Sequence, residues 1–435
     1  MYIDMSSITI NKQVFLLLVL FVGVVGQTFF YDNLGIGFFR LTDELLIVLF
    51  ILFLFVRVIY RQKSDISLIS FVILFLVLLL VSMVQGNMNP SQNIIGFFEI
   101  YKNAIFFLVL PYVLRILRIE PHHISLVVKI GLTIMLVYTV LFYIFPTSIL
   151  NHHQNHVRMG IYRLSSIVSD INTFSAVLYL TFFAIHFKLV DVGYNKFWKI
   201  LIVIMLFLTF SRSTIFLFML SYFLVHLKNN KYILSSIPFL LIIISMFYLY
   251  DKYQKETAEN VKQVFTWVPT GYNFENPEFG KDQYRSVVYY KSINMFLESP
   301  LFGHGLGTFG TPISLKLKND LYVRYSFPQT EFIPGGFNVQ DVYYPIIYVQ
   351  TGLFGLILFF LFWYRLLVSR NIFDSQLHKF SKLMFFSMLV LSLNSMTFMI
   401  GSLMFYYALL LNTRSMAKRQ DHRLKHQNNE AEESK

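Results

Sequence analysis

Four charged residues are candidates for chemistry, and three of them stand at the ends of apolar runs, where an ionisable side chain is costly unless it faces water or a partner. They are Arg163 in "YRLSSIVSDINTFS", Arg212 in "LTFSRSTIF", Arg285 in a polar segment, and Asp341 in "NVQDVYYPIIYVQTGLFG". The three arginines also break a bias that otherwise keeps basic residues on one side of the apolar runs. Residues of this kind are the first candidates for a functional site.

Arginine and aspartate together suit a reaction on a phosphate-linked substrate. A planar guanidinium binds phosphate oxygens in a bidentate manner and keeps its charge where the dielectric constant is low. A carboxylate can accept a proton from an attacking hydroxyl. Glycosyl transfer from a lipid pyrophosphate requires both functions at a membrane surface. We therefore predict that Asp341, Arg285 and Arg212 are catalytic and that Arg163 binds phosphate or orients a neighbour.

Each of the four charged residues has a structural alternative that the sequence leaves open. Arg163 could extend to lipid headgroups, and Arg212 could bond to the carbonyls of a helix end. Arg285 could be a solvated charge on a loop helix. Asp341 could cap the N-terminus of the following helix, a role that is compatible with catalysis.

Three further residues are predicted to bind substrate on weaker signals. Lys102 lies three residues after Glu99 in an apolar run, and it either pairs with Glu99 or reaches a lipid phosphate. Tyr289 follows Arg285 by four residues, which places both on one face of a helix. His304 in "GHGLG" is either a turn residue or a partner of an acceptor hydroxyl.

Two patterns could bind an ion. Gly303, Gly305 and Gly307 could form a nest of backbone N–H groups that binds an anion, or they could be an ordinary turn. The "NHHQNH" segment at 151–156 contains an H-H-x-x-H cluster that could bind a transition metal. Because no carboxylate or cysteine accompanies these histidines, we predict no metal and no cofactor.

The elements that position these residues are apolar runs. A spanning helix needs about 20 mostly apolar residues. The pairs of runs that flank Ser211 and 394–401 are short, and could be half-helices or tight re-entrant turns. Twelve runs are predicted spans: Val14–Tyr31, Leu41–Tyr60, Ser67–Val84, Ile94–Leu114, Ser125–Phe145, Ile171–Phe187, Phe197–Phe210, Thr214–Leu227, Tyr232–Tyr250, Tyr343–Tyr364, Phe380–Ser395 and Ile400–Leu411.

Loop charge orients the predicted spans. The loops on the side of the N-terminus hold 15 basic residues, and the short loops on the opposite side hold four. Positive charge is retained on the cytoplasmic side during insertion. We therefore predict nine spans over 1–250, an outer loop with short helices over 251–342, three spans over 343–413 and a disordered cytoplasmic tail over 414–435, with both termini inside.

The composition excludes a water-soluble domain. Hydrophobic residues make up 56% of the chain and charged residues only 14%, whereas soluble domains carry about 25% charged residues. The net charge of +12 is explained by membrane orientation, so no nucleic-acid partner is predicted. The absence of cysteine excludes disulfides and cysteine-ligated zinc. The first apolar run lacks a small-residue cleavage site and is predicted to stay as a helix.

Within the outer loop, Lys281–Leu297 is predicted to be a helix that ends before Pro300. Its apolar positions, which should face the protein, are Val287, Val288, Met295 and Phe296. The glycine-rich segment "SPLFGHGLGTFG" follows directly.

The segments "LTFSRST", "YRSVVYYKSINMFLESPLFGHGLGTF" and "DVYYPIIYVQTGLFGLILFF" resemble the O-antigen polymerase and ligase family, as does the layout of twelve spans with one late outer loop. The resemblance implies an all-α, polytopic, GT-C-like membrane protein. It also implies a metal-independent glycosyltransferase that acts at the outer face of a bacterial cytoplasmic membrane. By motif, Arg163, Arg212 and Arg285 match the outer-face arginines of the family.

One departure separates the two branches of that family. Ligases carry a His-Asn pair where this sequence has Asp341 and Val342, and an acidic residue there resembles Wzy-type polymerases. We predict an inverting polysaccharide polymerase for capsule, O-antigen or another exopolysaccharide. Its donor would be a glycan on undecaprenyl pyrophosphate and its acceptor a second lipid-linked repeat unit. Membrane lipid, a chain-length regulator and a flippase are the predicted partners.

Three alternatives remain open. A ligase would transfer the glycan to a different acceptor. A transporter or flippase of lipid-linked sugars typically contains internal repeats, and the sequence shows none. A scaffold for an export complex would not require charged residues at the ends of its spans.

Overall fold

The computed structural model describes residues 12–25, 48, 66–145, 157–158, 161–162, 164, 171–226, 284–316, 320–327, 342–369, 374–393, 398 and 400–413. Within them β1 (Val157–Arg158) and β2 (Ile161–Tyr162) form an antiparallel hairpin. The helices are α1 (Lys12–Val25), α2 (Ile66–Gln85), α3 (Pro90–Tyr101), α4 (Ala104–Ile116), α5 (Pro121–Ile144), α6 (Ile171–His186), α7 (Asn195–Leu208), α8 (Arg212–His226), α9 (Tyr284–Glu298), α10 (Pro312–Lys316), α11 (Asp320–Arg324), α12 (Tyr343–Leu367), α13 (Ser375–Leu391) and α14 (401–413).

Three helices of the described part are long and apolar enough to cross a membrane, namely α2, α5 and α12. The bent pair α3 and α4 makes a fourth candidate if it is taken as one span. These helices fall on predicted spans and confirm a helical chain with membrane-capable segments. The predicted run Tyr232–Tyr250, and all of Leu41–Tyr60 except residue 48, lie outside the described residues. The count of twelve spans therefore stays a prediction.

The predicted fourth span, Ile94–Leu114, is wrong as one continuous helix. α3 and α4 are bent by 66° relative to each other, with Lys102 and Asn103 at the break. Asn103 is fully buried, and its Nδ2 donates a hydrogen bond to the carbonyl of Phe398 at 3.0 Å. A buried amide needs a partner, and this one finds it on a distant segment. The apolar pattern alone does not reveal that partner.

The short runs around Ser211 form two separate helices, α7 and α8. Phe210, in the connection between them, has a φ of +48°, which lies in the left-handed region that interrupts a helix. The Thr209 hydroxyl accepts a hydrogen bond from the Ser211 N–H at 3.2 Å, and the Ser211 carbonyl accepts one from the Ile215 N–H at 2.9 Å. Local polar residues therefore end one helix and begin the next.

The packing centres on α12 and α13. α12 contacts α2, α9 and α13, and α13 also contacts α6 and α8. Tyr179 of α6 joins three helices, because its buried hydroxyl bonds to Ser221 of α8 at 2.7 Å and to Ser387 of α13. The ends of these central helices place the candidate site.

The predicted outer-loop helix is observed as α9, Tyr284–Glu298. Val287, Val288 and Met295 are buried, and Phe296 is half-buried. The predicted apolar face therefore is the face that packs on the protein.

Candidate active site

The start of α9 lies beside the start of α12. Val288 and Val342 are both fully buried in the same hydrophobic cluster. Arg285 lies in the first turn of α9, three residues before Val288. Asp341 directly precedes Val342 and lies outside the described residues. The structure describes no side-chain geometry for Arg285.

The first turns of α9 and α12 both contact the end of α13. The Tyr289 hydroxyl donates to the Leu393 carbonyl at 2.8 Å. The Tyr344 hydroxyl donates to the Leu389 carbonyl at 2.7 Å. Because a carbonyl oxygen only accepts, both tyrosine hydroxyls serve as hydrogen-bond donors to backbone. The structure thus uses Tyr289, a predicted substrate-binding residue, to join α9 to α13.

A buried hydroxyl network joins the starts of α6 and α8. The Ser211 hydroxyl donates to Asn172 Oδ1 at 3.2 Å, and the Ser175 and Thr214 hydroxyls are 2.8 Å apart. Arg212 is the first residue of α8, and in the sequence it lies between Ser211 and Thr214 of this network. Its backbone is described and its side chain is not.

These two groups of helix starts share one end of the bundle. Tyr179 contacts Ser387 directly, which sets α6 and α13 at a common height. From Tyr179, seven residues lead along α6 to Asn172, or about 10 Å. From Ser387, six residues lead past the end of α13 to Leu393, or about 9 Å. Asn172 and Leu393 therefore lie at about the same height, and the starts of α6, α8, α9 and α12 surround them.

The four charged candidates differ in how much of each the structure describes. Arg163 and Asp341 lie outside the described residues; Leu164, which follows Arg163, donates its N–H to the Leu208 carbonyl at 2.9 Å. The helix starts that carry Arg212 and Arg285 lie at the same end of the bundle. Whether the four side chains converge on one pocket stays a prediction.

The alternative role of Asp341 as a helix cap is wrong. α12 begins at Tyr343 and its N-cap residue is Val342, whose side chain makes no capping hydrogen bond. Asp341 precedes the cap position, so a capping role does not account for this carboxylate.

Lys102 lies at the α3–α4 break and is half-buried. Two residues earlier, the Ile100 carbonyl accepts a hydrogen bond from the hydroxyl of Tyr343 at 3.4 Å. Tyr343 is the first residue of α12, so Lys102 lies near a contact with the start of that helix. Glu99 Oε1 accepts a hydrogen bond from the Ile313 N–H at 3.1 Å, which gives the carboxylate a structural role at α10.

His304 is buried between α9 and α12. Its Nε2 is 2.7 Å from the Met295 carbonyl, and because a carbonyl only accepts, Nε2 carries the proton. The His304 N–H donates to the Val349 carbonyl at 2.8 Å, and the His304 carbonyl accepts from Asn87 Nδ2 at 2.8 Å. The residue therefore bridges three elements, and only Nδ1 would be left to meet an acceptor hydroxyl.

Of the two alternatives for the glycines, the anion-binding nest is wrong and the structural turn is observed. The Gly303 N–H donates to the Ser299 carbonyl at 2.9 Å and the Gly305 N–H to the Gln350 carbonyl at 2.8 Å. The Gly307 N–H donates to Gln350 Oε1 at 2.7 Å. Because protein acceptors occupy these three N–H groups, the glycine-rich segment is a packed structural element.

Gln350 is the residue that the sequence reasoning missed. It lies within α12, is 1% exposed, and its Nε2 also donates to the Phe309 carbonyl. The available signal was a lone amide inside the apolar run "YVQTGLFG", since a buried amide in a span requires partners.

Metal binding finds no support in the described part of the chain, where no three His, Cys, Asp or Glu residues form a group. The histidine cluster at 151–156 lies outside the described residues. The prediction that no metal is needed therefore stays a prediction.

Comparison with known proteins finds a family match over part of the chain. The family model described as O-antigen ligase matches residues 197–360. No curated protein matches the chain. The matched range excludes Arg163 and Lys102, and it includes five of the predicted site residues: Arg212, Arg285, Tyr289, His304 and Asp341.

Proposed function

We propose, from the match of residues 197–360 to the O-antigen ligase family model, that this chain is a polysaccharide polymerase. Members of this family are glycan-transferring enzymes. The proposed reaction transfers a growing glycan from undecaprenyl pyrophosphate to a lipid-linked repeat unit at the outer face of the bacterial cytoplasmic membrane. The product class is capsule, O-antigen or another exopolysaccharide.

The observation that supports the proposal most is the common position of the helix starts. The first turns of α8 and α9, which carry Arg212 and Arg285, lie at the end of the bundle where α12 begins after Asp341. A helix that crosses a membrane begins near the headgroups, which is where the pyrophosphate of a lipid-linked sugar lies. Two arginines at that height suit the charge of this group.

In the proposed reaction, Asp341 accepts the proton of the acceptor hydroxyl. At the same time the oxygen of that hydroxyl forms a bond to the anomeric carbon of the donor. The bond from that carbon to the pyrophosphate oxygen breaks, and its electron pair stays on the leaving pyrophosphate. Arg212 and Arg285 stabilise this charge, an effect that can contribute about 3–4 kcal/mol per well-placed donor. A single displacement inverts the anomeric centre.

The remaining predicted residues have binding roles in this proposal. Arg163 and Lys102 contact phosphate, which extends the positive surface on either side of the leaving group. Tyr289 and His304 bind the acceptor glycan, since both lie on or against the helix that carries Arg285. The reaction requires no metal ion, because guanidinium groups neutralise the leaving group.

The test uses purified protein in liposomes that contain lipid-linked repeat units. Asp341→Asn and Arg285→Ala should each abolish growth of the lipid-linked glycan, and Arg285→Lys should impair it because the planar fork is lost. Arg324→Ala is the matched control, since Arg324 is an exposed arginine of the same segment that pairs with Glu298 at 3.2 Å. Unchanged polymer length and amount in Asp341→Asn and Arg285→Ala would refute the assignment.

A second candidate is a ligase reaction, which the description of the matching family model favours. The same liposomes separate the candidates when a non-lipid-linked acceptor is supplied. Longer glycan on the lipid indicates a polymerase, and transfer to the added acceptor indicates a ligase. Movement of the lipid between leaflets without a new linkage indicates a transporter and excludes both.

A further inference from the structure

Residues 284–310, called here the hairpin, descend along α12 from its start. The Ser292 and Tyr348 hydroxyls are 2.5 Å apart, and the Phe296 and Tyr348 rings are 5.6 Å apart. Further along, the Pro300 carbonyl accepts from the Leu353 N–H at 2.8 Å. Leu353 directly follows Gly352, where non-helical backbone (φ +64°, ψ -165°) interrupts α12. The turn of the hairpin therefore meets α12 at this break, about 14 Å along the helix from its start.

After this turn the hairpin returns beside the same helix. The Gly305 N–H bonds to the Gln350 carbonyl at 2.8 Å, and Gln350 Nε2 donates to the Phe309 carbonyl. A Cβ placed on Gly310 would lie 2.5 Å from a side-chain atom of Ile346. The hairpin therefore consists of a descending helix, a turn and a non-helical return, with both ends near the start of α12.

Backbone polar groups of the turn and return are bonded to protein. Outside the hairpin, Gln85 Nε2 donates to the Gly303 carbonyl at 2.6 Å and Ser82 Oγ accepts from the Leu306 N–H at 2.7 Å. The Leu301 carbonyl accepts from the Phe354 N–H at 3.0 Å. Non-helical backbone is tolerated at membrane depth only where such partners exist, and these bonds supply several of them.

Two glycines permit this fit between backbones. Gly303 has a φ of +71°, and a Cβ there would lie 2.5 Å from the Gly352 nitrogen. Gly352 has a φ of +64°, and a Cβ there would lie 2.4 Å from the Leu301 carbonyl carbon. Side chains at either position would separate the turn from α12.

The outward surface of the turn is apolar and continuous with an exposed apolar surface of α12. Leu297 is 65% exposed and Leu301 is 60% exposed, and Phe302 is also exposed. The Phe302 and Phe354 ring centroids are 5.8 Å apart. Phe354 belongs to α12, which meets the length and composition of a spanning helix. A surface on α12 that contacts lipid therefore extends onto the hairpin.

We propose that the hairpin re-enters the membrane and that the apolar tip formed by Leu297, Leu301 and Phe302 is inserted among the acyl chains of the phospholipid leaflet at the α12 start. α2 ends its apolar window at Gln85, and Gln85 bonds to Gly303, just past the tip. The tip thus reaches the edge of the hydrocarbon, the depth at which interfacial helices bury their apolar face.

The charged pair of the hairpin does not oppose this placement. Arg324 Nη1 is 3.2 Å from Glu298 Oε2, and both side chains are exposed. Glu298 lies about 100° around the helix from Leu297, the angle between neighbouring residues at 3.6 per turn. Glu298 therefore does not share the face of Leu297.

An inserted tip would hold α9 at a fixed height in the leaflet, and with it the backbone of Arg285. The insertion itself does not depend on catalysis.

The experiment exploits the absence of cysteine from the chain. Single variants Leu297→Cys, Leu301→Cys and Phe302→Cys are labelled with a nitroxide in phospholipid liposomes that contain no polyprenyl lipid. Collision rates are measured with oxygen, which concentrates in hydrocarbon, and with a water-soluble nickel chelate. Leu361→Cys is the lipid control, since Leu361 lies on α12 and is 60% exposed. Asn294→Cys is the control on the same exposed face of α9, one turn closer to the α9 start than Leu297.

The three tip variants should resemble Leu361→Cys, with the oxygen rate exceeding the chelate rate, and Asn294→Cys should show the reverse. Tip labels that collide with the chelate as readily as Asn294→Cys would overturn the proposal. Leu301→Trp in liposomes of brominated phospholipid provides a second measurement that needs no label. We expect the bromine atoms to quench the fluorescence of this tryptophan, and an absence of quenching would contradict the proposal. Either result leaves the polymerase test untouched, so the two proposals fail separately.

Discussion

Replacing Gln350 by leucine should destabilise the protein strongly. The amide is 1% exposed, and it bonds to the Gly307 N–H at 2.7 Å and to the Phe309 carbonyl. Leucine has a similar volume but removes both bonds, which leaves a buried donor and a buried acceptor without partners. Each such group costs about 1–3 kcal/mol, so the two together should cost about 2–6 kcal/mol. Total stabilities are only about 5–15 kcal/mol.

The assay is unfolding of the purified protein in mixed micelles with increasing sodium dodecyl sulfate, followed by tryptophan fluorescence. Trp363 is fully buried in α12 and reports on the helix that carries Gln350. Gln376→Leu is the matched control, because Gln376 has the same side chain on an exposed face of α13. Surface changes of this kind usually stay within about 0.5 kcal/mol.

Gln350→Leu should therefore unfold at a clearly lower detergent fraction than Gln376→Leu and the parent protein. If all three unfold together, the amide does not hold the return of the hairpin on α12. The physical account of that segment would then be wrong, because Gln350 is the side chain that hydrogen-bonds both Gly307 and Phe309 to α12.

Two further substitutions test the packing. Gly303→Ala should reduce the yield of folded protein far more than Gly86→Ala. Both glycines have a positive φ, but a Cβ at Gly86 meets nothing within 4 Å. Equal yields of the two variants on size-exclusion chromatography would contradict the close backbone approach at Gly303. Tyr179→Phe should lower the free energy of unfolding by about 1–2 kcal/mol, since a buried hydroxyl that bonds to Ser221 is lost. The exposed Tyr194→Phe should change it little, and equal losses in these two variants would argue against the network.

The apolar pattern predicted the long helices well. Predicted runs 67–84, 125–145 and 343–364 correspond to α2, α5 and α12. About 20 apolar residues in a row have few alternatives to a helix in lipid, because the backbone must bond within itself. The outer helix was also predictable, since Val287, Val288 and Met295 recur at helical spacing and are buried together.

Local pattern failed where a distant segment supplies a partner. The break at Lys102 depends on Asn103 meeting the carbonyl of Phe398, 295 residues away along the chain. The glycine nest failed for the same reason, because Gln350 and Ser299 accept from the glycine N–H groups. A capping role for Asp341 was plausible from spacing, but the helix begins one position too late for it.

The order of residues by itself determined which segments are helical and which residue types are available for chemistry, because hydrophobicity and helix periodicity act over neighbouring positions. It also carried the family resemblance, which a family model then matched over 197–360. Only the tertiary structure decided that the starts of α8, α9 and α12 share one end of the bundle. Only the tertiary structure also decided that the glycine-rich segment returns beside α12 as part of the hairpin. Those outcomes depend on hydrogen bonds and backbone contacts between distant parts of the chain, which no local pattern specifies.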